Sequence, residues 1–128
     1  MTVNFSEYDK GNIFAKILAG SIPCNKVYEN EYALAFFDIQ PQASKHILVI
    51  PKGEYVSSQD FYVKASHEEI IGFHACISEV TAQEGLNIEG NEKGYRLISN
   101  AGIHGGQEVP HFHVHILGGQ KLGTLLGK

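Results

Sequence analysis

Apolar positions recur along the chain with two different spacings, and these divide it into elements. Between Ser66 and Glu84, Ile70, Phe73, Ile77 and Val80 fall at helical spacing with Ile71 and His74 beside them, which predicts one long helix. Ser66 and Glu69 form a capping-box pattern at its start, and Gly85 is a natural stop. A short helix is predicted from Asn12 to Ala19, with Ile13, Phe14, Ile17 and Leu18 as its apolar face and Gly20 ending it. The remaining apolar residues come in short runs between turn formers. These predict strands at Lys26–Glu29 (weakly), Ala33–Phe37, His46–Ile50, Tyr95–Ser99 and His111–Leu117. Asn100–Pro110 reads as a loop carrying Gly102, Gly105, Gly106 and Pro110. Strands not regularly interleaved with helices predict an α+β domain: a mainly antiparallel sheet of about five strands with one long and one short helix. Residues 1–11 read as a flexible lead-in, residues 12–128 as a single domain, and the segment from about 119 as its tail.

Composition narrows the class. A chain of 128 residues, 43% hydrophobic and 19% charged, fits one packed domain. A formal charge of −4 argues against a nonspecific nucleic-acid binder, which would carry a basic face. Cys24 and Cys76 fit no zinc or redox spacing and read as reduced packing residues. The polar start, Met1 to Asn12, lacks the apolar core of a signal peptide, and no apolar run approaches membrane-spanning length. A cytoplasmic protein with no membrane partner is therefore expected.

The candidate chemistry lies near the C-terminus. His111, His113 and His115 alternate with Phe112, Val114 and Ile116, so a strand would put all three imidazoles on one face, roughly 6.5–7 Å apart. A core needs no row of imidazoles, and clustered titratable groups tend to mark sites. Imidazole titrates near neutrality and can serve as nucleophile, proton donor or metal ligand. The glycine loop just before it can approach a ligand closely and form a nest of N–H groups for an anion. From spacing alone, a three-histidine metal module and a phosphate site both remain open.

His111-Phe112-His113-Val114-His115-Ile116-Leu117 resembles the motif of the histidine triad family of nucleotide hydrolases and transferases. The resemblance extends to Asn12–Ile17, to Ala35–Ala43, to His46–Lys52, and to Asn100 with Gly105-Gly106-Gln107-Glu108-Val109, and spans roughly residues 12–122. It is nearest to the branch of bacterial purine nucleoside phosphoramidases. The resemblance implies that His113 is the nucleophile, that His111 and His115 donate hydrogen bonds to phosphoryl oxygens or the leaving group, and that His46 orients them. It implies that Asp38 accepts from the ribose and that Phe14, Ile17, Phe37 and Ile39 form the base pocket. Asn100, Gly105, Gly106, Gln107 and Glu108 would hold sugar and phosphate. A purine nucleotide such as an AMP or GMP derivative is implied as ligand, a homodimer as assembly, and no required cofactor or metal. Two positions depart from the animal pattern: Glu108 stands where a serine would meet the leaving group, and Pro110 replaces an aromatic. Alternatives are the metal-binding module and a regulatory protein that binds nucleotides and whose catalysis is incidental.

Overall fold

The computed structural model describes residues 4–89 and 93–127. Met1–Val3 of the lead-in and Lys128 of the tail lie outside that range. Elements follow in the order α1 (Ile13–Leu18), β1 (Lys26–Glu29), β2 (Ala33–Phe37), β3 (Lys45–Pro51), α2 (Ser58–Lys64), α3 (His67–Gln83), β4 (Tyr95–Ile98), α4 (Gly102–Gly105) and β5 (Val114–Gly118). The five strands form one sheet in the order β1-β2-β3-β5-β4, and every neighbouring pair is antiparallel. The predicted α+β class and the strand count match the molecule.

The sheet buries both faces at its centre. Ala33, Ala35, Ile47, Val49, Val114 and Ile116 point to one side, where they pack with Phe61 of α2 and with Phe73, Cys76, Ile77 and Val80 of α3. Leu34, Phe36, Leu48 and Ile50 point to the other side and pack with Phe14 of α1. This is why β2 and β3 read as near-continuous apolar runs rather than as alternating ones. Phe112 extends the first core. Its ring stacks on Phe61 at 4.9 Å and meets Phe73 at 5.0 Å, and burying each such side chain stabilises the fold by about 1.5–3 kcal/mol.

The helix ends follow the local chemistry. Ser66 Oγ accepts from the Glu69 N–H at 3.1 Å, and Glu69 Oε1 accepts from the Ser66 N–H at 3.0 Å, so the capping box at the start of α3 is complete. Asn12 caps α1 by accepting from Ala15 N–H at 2.9 Å.

Three features differ from the sequence reading. The helix α2 was not foreseen; it is short, and it is fixed by Phe61, which is fully buried. The glycine loop contains a single turn of helix, α4, entered through Gly102 and left through Gly106, both at positive φ. The last strand begins at Val114, not His111. Pairing of β5 with β3 ends at Val49 opposite Val114. Two residues on, β3 reaches Pro51, which has no N–H to donate and whose carbonyl is taken by a side chain, the ring of His111, at 2.9 Å. The Phe112 N–H leaves the ladder and donates to the Tyr55 carbonyl at 2.7 Å.

Candidate active site

The histidines gather on the α1 side of the sheet. His46 on β3 lies across from Leu117 and His115 on β5 across from Leu48, so the two imidazoles are diagonal neighbours on one face. His111 and His113 precede the ladder yet keep the alternation, with Phe112 and Val114 turned into the opposite core. The Phe14 ring stands edge-on to His113 at 5.0 Å and to His111 at 6.2 Å. His111, His113 and His46 are buried, at 0%, 5% and 5% exposure, and His115 is half-buried. A row of solvated imidazoles is thus excluded.

Fixed donors and acceptors determine where each proton sits. His111 Nε2 faces the Pro51 carbonyl, which can only accept, so Nε2 carries the hydrogen. Nδ1 of that ring is then the lone pair, and it accepts from the Tyr8 hydroxyl at 2.6 Å. His113 Nδ1 faces the His111 carbonyl at 2.7 Å, so Nδ1 carries the hydrogen and Nε2 holds the lone pair. The Gln42 backbone N–H donates to His46 Nδ1 at 2.9 Å, so the hydrogen of His46 is on Nε2. That N–H lies 2.9 Å from His115 Nδ1 and 3.4 Å from Asp38 Oδ2. His115 accepts at Nδ1 and therefore keeps its own hydrogen on Nε2. The result is a bare nitrogen on His113 and an N–H on His115, with the two rings 5.0 Å apart.

Burial keeps these rings neutral. It lowers all four histidines below their ordinary value, His111 and His115 to about 4. Asp38 opposes the shift at His46, His113 and His115, and Glu108 opposes it at His113. With His46 neutral, its approach to Asp38 is a polar contact rather than an ion pair.

Several predicted residues stand differently from expectation. His111 has both ring nitrogens engaged inside the protein and no N–H left for a phosphoryl oxygen. Gln107 is buried, and its side chain staples the loop: it accepts from Gly102 N–H at 3.0 Å and donates to the carbonyls of Val56 at 2.6 Å and Val109 at 3.0 Å. Asp38 closes a turn, with Oδ1 accepting from Gln40 N–H at 2.8 Å, while Oδ2 faces His46. Gly105, Gly106 and Glu108 are exposed, and Asn100 is half-buried beside Gly105. Of the apolar set, Phe14 lies against the histidines and Ile17 packs with it, whereas Phe37 is on the surface and Ile39 is 85% exposed.

Among the described residues, ligand atoms of Asp38, His46 and His115 lie within 4.8 Å of one another, so a metal would be drawn to that trio and not to the three alternating histidines. A surface hollow of about 650 Å³ beside β4 is lined by Leu86, Tyr95, Arg96 and Leu122 and contains none of these groups, so volume alone does not mark the site. Sequence reasoning missed Tyr8, Gln42 and Pro51 as partners of the rings. The signal for Tyr8 was slight: one of two aromatics in a polar lead-in.

Residues 19–122 match the HIT domain family. A 13.2 kDa HIT-like protein of Azospirillum brasilense is 50% identical over 121 residues, covering 94% of this chain and 96% of its own. The purine nucleoside phosphoramidase of Escherichia coli strain K12 is 44% identical over 115 residues, covering 89% and 92%. A histidine triad protein from Clostridium difficile superposes with a TM-score of 0.79 at 40% identity, covering 92% and 98%. Because the match runs through the whole sheet and includes all four histidines of the site, this chain belongs to the HIT family.

Proposed function

We propose that this protein is a hydrolase of purine nucleoside 5′-phosphoramidates, or of related AMP or GMP derivatives, working through a nucleotidyl intermediate on His113. The observation that carries the reading is the pair of complementary tautomers: a lone pair on His113 Nε2 beside a hydrogen on His115 Nε2. The E. coli relative supports it by its name.

The steps follow from those protons. An anionic phosphate entering a buried neutral site raises the histidine pKa values, so one proton enters with it. The His46–His115 pair holds that proton, and the Asp38 carboxylate beside it favours the charged form. His113 Nε2 then attacks the α-phosphorus, the phosphorus–nitrogen bond breaks, and the departing amine takes the proton from His115 Nε2. The His111 carbonyl, held at His113 Nδ1–H, stabilises the imidazolium that forms. Water next attacks phosphorus, its proton passes to His115, the phosphorus–Nε2 bond breaks, and AMP leaves. Asp38 and Asn100 would meet the sugar, the N–H groups around Gly105 and Gly106 the phosphate, and Phe14 and Ile17 the base. No metal or cofactor is needed in this scheme. We also propose a cytoplasmic homodimer, joined through the exposed edge strand β4, where Tyr95 and Leu97 are 42% and 46% exposed.

Incubation with adenosine 5′-phosphoramidate tests the reaction. AMP release is expected in the presence of a chelator, with one adenylyl group trapped on the wild type and none on His113→Ala. Stoichiometric zinc required for turnover would favour a metal centre at Asp38, His46 and His115 instead.

A further inference from the structure

The described part of the lead-in, residues 4–11, forms no helix or strand, yet one of its side chains reaches the deepest histidine. Asp9 folds the segment back. Its carboxylate accepts from Gly11 N–H at 2.8 Å, and its carbonyl accepts from Asn12 N–H at 3.2 Å and from Asn12 Nδ2 at 2.7 Å. The turn sets Tyr8 edge-on to His111, with ring centres 5.5 Å apart and the hydroxyl 2.6 Å from Nδ1. Since the Pro51 carbonyl fixes the hydrogen on His111 Nε2, the Tyr8 hydroxyl must be the donor. Burial raises the Tyr8 phenol above its ordinary value, so it keeps that hydrogen.

We infer that Tyr8 is a positioning residue for the attacking group: its hydroxyl locks the ring of His111, whose carbonyl in turn holds the hydrogen of His113 Nδ1 and aims the bare Nε2. The inference rests on the reading of His113 as nucleophile. His111 is completely buried and satisfied from both ends. Without the hydroxyl, its Nδ1 is a buried acceptor with no donor, and the ring regains one only by turning or shifting. Either movement disturbs the main chain that orients His113. The lead-in is thereby part of the site and not merely ahead of it.

Tyr8→Phe in the full chain tests this, because phenylalanine keeps the ring contact and removes only the hydroxyl. Two readouts are needed: kcat and KM for adenosine 5′-phosphoramidate, and the ¹⁵N shifts of the His111 ring. Loss of one buried hydrogen bond corresponds to a fall in kcat of about three- to thirtyfold, with KM changed by less than about twofold. The Nδ1 signal should move away from that of a nitrogen accepting a hydroxyl hydrogen. Unchanged kcat, or unchanged His111 nitrogens, overturns the inference, and so does a loss carried by KM alone. A wild type inactive on every phosphoramidate would overturn the reaction and not the tether, which the nitrogen shifts judge independently.

Discussion

Three of the four imidazoles have their hydrogen placed by a main-chain neighbour that cannot exchange roles, and His46, so fixed, sets the fourth at His115. A carbonyl cannot donate and a backbone N–H cannot accept, so Pro51, His111 and Gln42 decide the tautomers through main-chain atoms. Side-chain substitution at Gln42 leaves such a device in place, whereas substitution of a ring removes a function. His115→Ala is the sharpest case. It removes the proposed donor to the leaving group and should cost about 10²–10⁴ in kcat/KM for an alkylamine phosphoramidate. For a leaving group acidic enough to depart without a proton, the loss should shrink below about tenfold. Steady-state kinetics over a series of leaving groups checks this, and an equal loss across the series would contradict the donor role. Legibility at this scale was uneven. The three alternating histidines and His46 were visible as residue types, and the alternation with Phe112 and Val114 correctly separated site from core. The role of His111 was not visible, because its partners come from positions far away in sequence, Pro51 and Tyr8.

Among the elements, α3 was readable because its apolar spacing, its capping box and its terminal glycine all agree. The beginning of β5 was not, because the pattern of side chains continues past the point where the hydrogen-bond ladder stops. Pro51, on the neighbouring strand, causes that stop, and no local feature of His111–His113 announces it. The α4 turn escaped notice for a related reason: four residues with two glycines carry no periodicity. What holds this turn is Gln107, which spans from Gly102 to Val56 and Val109. Gln107→Ala leaves buried main-chain groups unpaired and should destabilise the protein by about 1–3 kcal/mol. Urea unfolding measures this, and an unchanged midpoint would show that the staple is idle. The buried side chain of Gln107 supports the loop on which the family resemblance sets the phosphate.

For the whole molecule, buried neutral histidines make stability depend on pH in a definite direction. The folded pKa values of His111 and His115 are depressed from 6.5 to about 4. Between those limits the unfolded chain binds more protons than the folded one, so stability rises with pH there. The contribution is complete above 6.5 and is lost as pH falls toward 4. Thermal midpoints measured at about pH 7.5, 6 and 5 should decline over the last two values; a flat series would contradict the burial of these rings. The depressed carboxylates Glu29, Asp60 and Glu69 act in the same direction but only below their ordinary range of about 4, so the two effects separate on the pH axis.

The two-sided burial of β3 adds something that thermal data alone would not reveal. His46 alternates along that strand with Ile47 and Val49, both fully buried, and pairs with His115 across one of the two central ladders of the sheet. The relay therefore has no hinge of its own and cannot melt ahead of the core. Native-state hydrogen exchange is expected to place the amides around the His46–His115 pair in the last cooperative unit to open, and those around Tyr8, outside any helix or strand, in an earlier one. Competence and folding are then acquired together, except for the final hydroxyl that closes over His111.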